Sequence, residues 1–293
     1  MMLLNLGCGR RYRAGWVNVD FTADGPGVIA ANLLQGVPFE DNTFDCVYHS
    51  HVLEHFTEED GAKLIAECWR VLKPGGVIRV VVPDLEKLAR WYLQQLELAA
   101  GNPDVSGLAA NHKWTVLLLL DQATRHRSGG EMIKFLGGEL INEKFVLETC
   151  GVEMKTIMDA CAAGRKNAGK SMDASPAARE TQKPKPQPKS NFLRSFVRKF
   201  IPAKKSPPPD IMSPQDRQAL EIGRFRTGGE VHRWMYDRYS LSALLQQTGF
   251  DNVRVRTAED SFIPDWMGFH LDTEPDGTVY KPESLFVEAR KKA

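Results

Sequence analysis

Over its first 93 residues the chain alternates short apolar runs with turn signals and amphipathic stretches. This is the rhythm of strand–crossover–strand units in an open α/β sheet. The runs Leu3–Leu6, Trp16–Asp20, Val28–Ala31, Phe44–Tyr48 and Val77–Val82 predict five strands. Val77–Val82 is apolar throughout except for Arg79, as suits a strand covered on both faces. Between the last two, Ile65, Cys68, Trp69 and Leu72 form one stripe of a helix from about Glu58 to Lys73. Thr57 with Asp60 opens that helix and Pro74-Gly75-Gly76 stops it. Asp84 caps the next helix.

From about residue 94 to 165 the alternation is lost, and patterns such as Trp114–Leu120 and Phe145–Met158 predict a helical insertion. Residues 166–213 read as a disordered Pro/Lys-rich linker, because eight prolines fall between Pro176 and Pro209. A return segment, 214–229, leads into a second α/β stretch from 230. There Leu241–Thr248 is a helix stopped by Gly249, and Asn252–Arg256 and Ser284–Ala289 are strands. The fold class is therefore α/β: a Rossmann-like, mostly parallel sheet of about seven strands, interrupted by a helical insertion and a linker before the last two.

Charge narrows the function. Lys and Arg number 38 against 37 Asp and Glu, a formal +1, which argues against a dedicated nucleic-acid binder. Five scattered cysteines without a C-x-x-C suit a reducing compartment rather than a disulfide framework or a zinc finger. The amino terminus has no basic n-region, and the longest pure aliphatic run, Val116–Leu120, is far too short to span a membrane. The expectation is a cytoplasmic protein.

Leu4-Asn5-Leu6-Gly7-Cys8-Gly9 is an apolar strand entering a G-x-G turn, where glycines let a ligand approach the backbone. A dinucleotide fingerprint needs a third glycine where Tyr12 stands, and a full helix behind it. Only five residues separate Gly9 from Gly15, room for about one turn. No Walker-type phosphate loop occurs. The pattern suits a nucleoside-bearing ligand without phosphates, and Asp20, at the end of the second strand, is placed to accept from ribose hydroxyls.

Four segments in order, LNLGCG, GWVNVD, VPFEDNTFDCVYHSHVLEHF and WRVLKPGGVIRVVVPD, resemble the motifs of class I S-adenosylmethionine-dependent methyltransferases, most closely the small bacterial type. The resemblance covers residues 1–93 densely and the tail from about 230 loosely. It implies S-adenosylmethionine as cofactor, with Asn5, Gly7, Cys8 and Gly9 forming the loop under its methionine part and Asp20 on the ribose. It also implies that Asn32 and Leu33 flank the adenine and that backbone around His49 and Ser50 holds the amino-acid end. The last two strands would pair antiparallel at one edge. Asn5 stands where the family usually carries an acid, and the first helix is abbreviated.

His49-Ser50-His51-Val52-Leu53-Glu54-His55 gathers three imidazoles and a carboxylate. Such a set could bind zinc, but the spacing has one residue too many for the H-x-H-x-D-H pattern of metallo-hydrolases, and no metal is assigned. Packing and capping explain some of these histidines, His55 above all. Methyl transfer to a hydroxyl needs a base, and His51 ranks first for it, then His55, then His232 from the returning chain.

Between Lys183 and Lys205 lie eight basic residues and no acid, and Asn191–Ile201 places Phe192, Phe196 and Phe200 on one helical face. An interfacial helix on an anionic membrane would look like this, and so would a helix docked on its own domain. The reading is therefore of a methyltransferase, cytoplasmic or peripheral on the inner face of the membrane. By family resemblance it acts on an oxygen of a small-molecule or sugar-containing, cell-surface glycan substrate. The alternatives are a non-catalytic cofactor-binding membrane or complex adaptor, and an RNA methyltransferase.

Overall fold

The computed structural model describes residues 1–172 and 212–293. The helix expected at Asn191–Ile201 and the basic stretch 183–205 lie outside the described residues. Among the described residues, no helix is long and apolar enough to cross a membrane.

Seven strands among the described residues make one sheet: β1 (Leu3–Leu6), β2 (Trp16–Asp20), β3 (Val28–Ala30), β4 (Phe44–Ser50), β5 (Leu72–Pro83), β6 (Phe250–Arg256) and β7 (Ser284–Lys291). Their order is β3-β2-β1-β4-β5-β7-β6. The first five run parallel, and β7 is antiparallel to both β5 and β6. The expected antiparallel pair at one edge is present, with β7 slotted inside β6.

β5 begins five residues before the expected Val77. The chain turns directly from α1 (Glu58–Val71) into the strand, and Leu72 pairs with Phe44 across an irregular register. Pro74-Gly75-Gly76 thus lies within a strand rather than behind a helix. Thr57 caps α1 by accepting from the Asp60 backbone N–H at 3.1 Å.

One face of the sheet buries Leu4, Leu6, Val47, Ile78 and Val80 against Ile65 and Cys68 of α1 and Leu241 and Leu245 of α7 (Arg238–Thr248). The other face is covered differently. No helix lies between β1 and β2; Trp16, Tyr48 and Phe286 pack instead against Ile263, Trp266 and Leu271 of the long β6–β7 connection. A buried ion cluster fastens that connection down: Arg79 Nε meets Asp272 Oδ2, and Arg79 Nη1 meets Glu288 Oε1, each at 2.8 Å. Tyr48 donates to Asp272 at 2.6 Å.

The insertion is helical as expected: α2 (Leu85–Gly101), α3 (Ser106–Thr124), α4 (Gly130–Gly137) and α5 (Glu143–Met172), with a break at Gly151. α5 runs seven residues beyond the boundary drawn at 165. The insertion's own core joins Leu88, Trp114, Leu118, Met132 and Val146. The return segment is helical too, α6 (Pro214–Arg226), opened by Ser213.

Candidate active site

β1 ends in a turn held from three sides. The Asn5 amide donates to Asn18 Oδ1 at 3.1 Å and to the Arg11 carbonyl at 3.2 Å, and Asn18 donates to the Arg13 carbonyl at 2.9 Å. Arg11 and Arg13 then reach the β6–β7 connection, donating to the carbonyls of Leu271, Thr273 and Phe269 and to that of His270. These bonds replace the missing helix as the support of the loop. Asn5 is thus a structural amide, 2% exposed.

Gly7 and Gly9 both adopt positive φ, +62° and +51°. A Cβ on Gly7 would overlap Val52 Cγ2, whereas one on Gly9 would meet nothing within 4 Å. Gly7 is therefore required by packing, and Gly9 opens onto the cleft. The Gly9 N–H donates to Asp20 Oδ2 at 2.8 Å, which fixes the carboxylate at the mouth of the turn. Cys8 is buried, and burial pushes its thiol up to about 12, so it packs rather than reacts.

Two cavities meet here. The larger, about 840 Å³, runs from the glycine turn to the insertion, where Leu118, Met132, Cys150 and Met154 roof it. The smaller, about 120 Å³, is an apolar slot lined by Ala31, Leu33, Val52, Phe56 and Val231, with Asn32 at its edge. Gly7, Asp20, His51 and His55 border both. Asn32 Oδ1 accepts from Leu34 N–H at 3.0 Å, so one of its two lone pairs is already committed to the local turn.

The sequence-predicted residues divide cleanly. Asn5, Gly7, Cys8, Gly9, Asp20 and Ser50 line the large cavity, and Asn32 and Leu33 line the slot. His49 lines neither: its ring is fully buried, and its strand neighbours are Leu6 and Val80. The expectation at this position concerns the backbone and not the ring. Both His49 ring nitrogens lack hydrogen-bond partners, and burial holds its pKa down at about 4.

His51, His55 and His232 converge on one carboxylate, Glu54, although His232 lies far along the returning chain. His51 has φ +54°, a left-handed conformation uncommon for a non-glycine residue. It turns the ring off the end of β4 so that Nδ1 lies 3.3 Å from Glu54 Oε1 and Nε2 lies 2.8 Å from Ser284 Oγ. His232 Nε2 is 3.9 Å from the same Glu54 oxygen. The His55 and His232 rings meet edge to face with centroids 5.0 Å apart. Glu54 is fully buried and neither of its oxygens has a hydrogen bond. Burial raises its pKa and lowers those of His51, His55 and His232, so all three imidazoles are neutral near pH 7.

Sequence reasoning left Glu54 and Ser284 out of the site. Glu54 lies within the histidine run, between His51 and His55, and that H-x-x-E-H spacing is the signal that could have found it. Ser284, at the start of β7, carries none. Further along the cavity Lys281 pairs with Glu153 at 2.9 Å, and burial raises Glu283 to about 8.

Residues 4–80 match the family model described as a methyltransferase domain. That match is to a methyltransferase domain and covers about a quarter of the chain. The strand order, with β7 antiparallel between β5 and β6, and the G-x-G turn above Asp20 accompany that match. Curated relatives share the segment: a probable methyltransferase, ltbC, of Aspergillus luteorubrus is 38% identical over 72 residues, 23% of this chain and 25% of that protein. The ubiquinone/menaquinone biosynthesis C-methyltransferase UbiE of Escherichia coli is 41% identical over 61 residues, 20% of this chain and 24% of that one. The matched stretch thus spans about a quarter of these relatives' length. Among solved structures, a SAM-dependent methyltransferase from Archaeoglobus fulgidus is 12% identical, with a TM-score of 0.36 over 99% of this chain and 86% of that one.

The cofactor of class I methyltransferases is S-adenosylmethionine, and the residues present fit it. Gly9 leaves open space where a side chain would intrude, Asp20 is fixed beside it, and the apolar slot lies on the far side of Asp20.

Proposed function

We propose that the protein transfers a methyl group from S-adenosylmethionine to a hydroxyl oxygen of a small-molecule or sugar-containing acceptor. The carrying observation is the shared border: His51 lies on the wall between the nucleoside slot and a cavity of small-molecule size. When bound, S-adenosylmethionine supplies an electrophilic methyl on a sulfonium, so the chain's task is alignment and proton removal.

Asp20 and the glycine turn hold the nucleoside end. The insertion helices enclose the acceptor and keep water away. If the His51 Nε2–H donates to Ser284, Nδ1 is the ring's remaining acceptor, on the cavity wall beside Glu54. His51 would take the acceptor hydroxyl's proton as that oxygen is methylated. Glu54, 3.3 Å away, then stabilises the imidazolium.

The test is transfer of tritiated methyl groups from S-adenosylmethionine into a cell extract, separated into lipid, glycan, protein and RNA fractions. Alkali-stable label in small molecules or glycans supports the reading. Label confined to RNA, or incorporation no greater than without the protein, contradicts it.

A further inference from the structure

We propose that Glu54, His55 and His232 form a binding site for a divalent first-row transition-metal ion. The side chains alone argue for it. One ligand atom from each lies within 4.8 Å of the other two, at the junction of the cavities. Two imidazoles and one carboxylate are a donor set that leaves open coordination positions on zinc or a neighbouring divalent ion.

Glu54 supplies the independent observation. A carboxylate removed from water needs a cation or hydrogen bonds, and this one has neither Oε1 nor Oε2 bonded although the residue is fully buried. Two imidazole nitrogens, His51 Nδ1 at 3.3 Å and His232 Nε2 at 3.9 Å, flank Oε1 without bonding it. Tetrahedral zinc sets its ligand atoms about 3.3 Å apart, so side-chain shifts of roughly 1 Å close the site.

Local structure aims the ligands. Glu54 and His55 lie in one 3-10 turn, Leu53–His55, at the end of β4. The returning chain is tied to that turn, because the Arg233 N–H donates to the Glu54 carbonyl at 2.7 Å. His232, next to Arg233, is placed by that bond and by its own N–H donating to the Gln122 carbonyl at 3.0 Å.

The ion's role rests on the proposed function, whereas its binding does not. An acceptor hydroxyl in an open position would have its pKa lowered by the ion and pass its proton to His51. The ion is redox-silent here; no electron changes hands.

The experiment uses the full chain, stripped with chelator and titrated with zinc ion in the absence of S-adenosylmethionine. One zinc per chain is expected, with affinity reduced roughly 100-fold or more in Glu54→Gln and in His232→Gln. The exposed His126, changed to Gln, is the control and leaves affinity unchanged. Folding of each variant is checked by circular dichroism. Should a variant not fold, X-ray absorption on the zinc-loaded wild-type protein decides: two imidazoles and oxygen in the inner shell are expected. Absence of stoichiometric zinc, binding that survives both substitutions, or a shell without imidazole overturns the proposal. Binding of S-adenosylhomocysteine, measured separately, shows whether the methyltransferase reading stands when the metal site fails.

Discussion

His51 Nε2 lies 2.8 Å from Ser284 Oγ, although 233 positions separate the two residues. Ser284 is 1% exposed, so its hydroxyl orients the imidazole rather than acting as a nucleophile. The residue that follows β4 and the first residue of the sheet's last strand thereby share one hydrogen bond. It joins two distant segments of the chain at the point where chemistry is expected.

If His51 is the base, His51→Gln lowers the maximal rate of methyl transfer by about 10²–10⁴-fold. Ser284→Ala costs less, about 1 kcal/mol or roughly fivefold, because it removes only the orienting bond. Neither variant changes the dissociation constant of S-adenosylhomocysteine beyond about twofold. Steady-state kinetics beside calorimetry check this; equal losses in rate and in cofactor affinity would assign His51 to packing.

His49 makes stability depend on pH. Its folded pKa is held down at about 4 by burial, against 6.5 in the unfolded chain. Between those values the unfolded state binds the extra proton, so stability falls as pH drops from 6.5 towards 4. A displacement of that size corresponds to about 3 kcal/mol. Burial acts in the same direction on His51, His55 and His232, so the measurement is a difference: urea unfolding of wild type and His49→Leu at about pH 7 and about pH 5. The variant is expected to lose less stability between the two than wild type does.

Arg79→Met tests how the β6–β7 connection is held. It leaves Asp272 buried without its cation and Glu288 with only Arg256, 3.4 Å away, and breaking such a cluster costs about 3–5 kcal/mol. Because Arg11 and Arg13 rest on the same connection, cofactor affinity is expected to fall as well. Denaturant midpoints and calorimetry measure the two effects. A stable variant with a weakened cofactor site would show that Arg79 acts on the loop alone.

The sheet is legible in the sequence because its cues are local. Apolar runs, Gly7 and Gly9, and Asp20 at a strand end each report on their own few residues. Strand ends are less legible: β5 starts at Leu72 because Phe44 pairs with it, a fact carried by the partner strand and not by Pro74 or Gly75. The missing first helix is visible as a short Gly9–Gly15 interval. Its replacement by Trp266 and Leu271, far along the chain, is not.

The polar cluster meets the same limit. His51 and His55 stand out in a string of residues, and His232 can be named as a histidine on the returning chain. The H-x-x-E-H spacing marks Glu54, but its approach to His232 depends on the returning chain and is not local. Ser284 carries no signal, since only the β5–β7 pairing brings it beside β4. The His49 ring points into the core, whereas its neighbours Ser50 and His51 border the cavity.

The central claim is that the cleft at Gly9 and Asp20 holds S-adenosylmethionine. Calorimetric titration of the full chain with S-adenosylhomocysteine tests it most directly, with Asp20→Ala alongside. One site per chain is expected, weakened by roughly 1.5–3 kcal/mol in the variant, since a carboxylate accepting ribose hydroxyls is lost. No heat of binding at millimolar ligand, or an affinity unchanged in a folded Asp20→Ala protein, would contradict it.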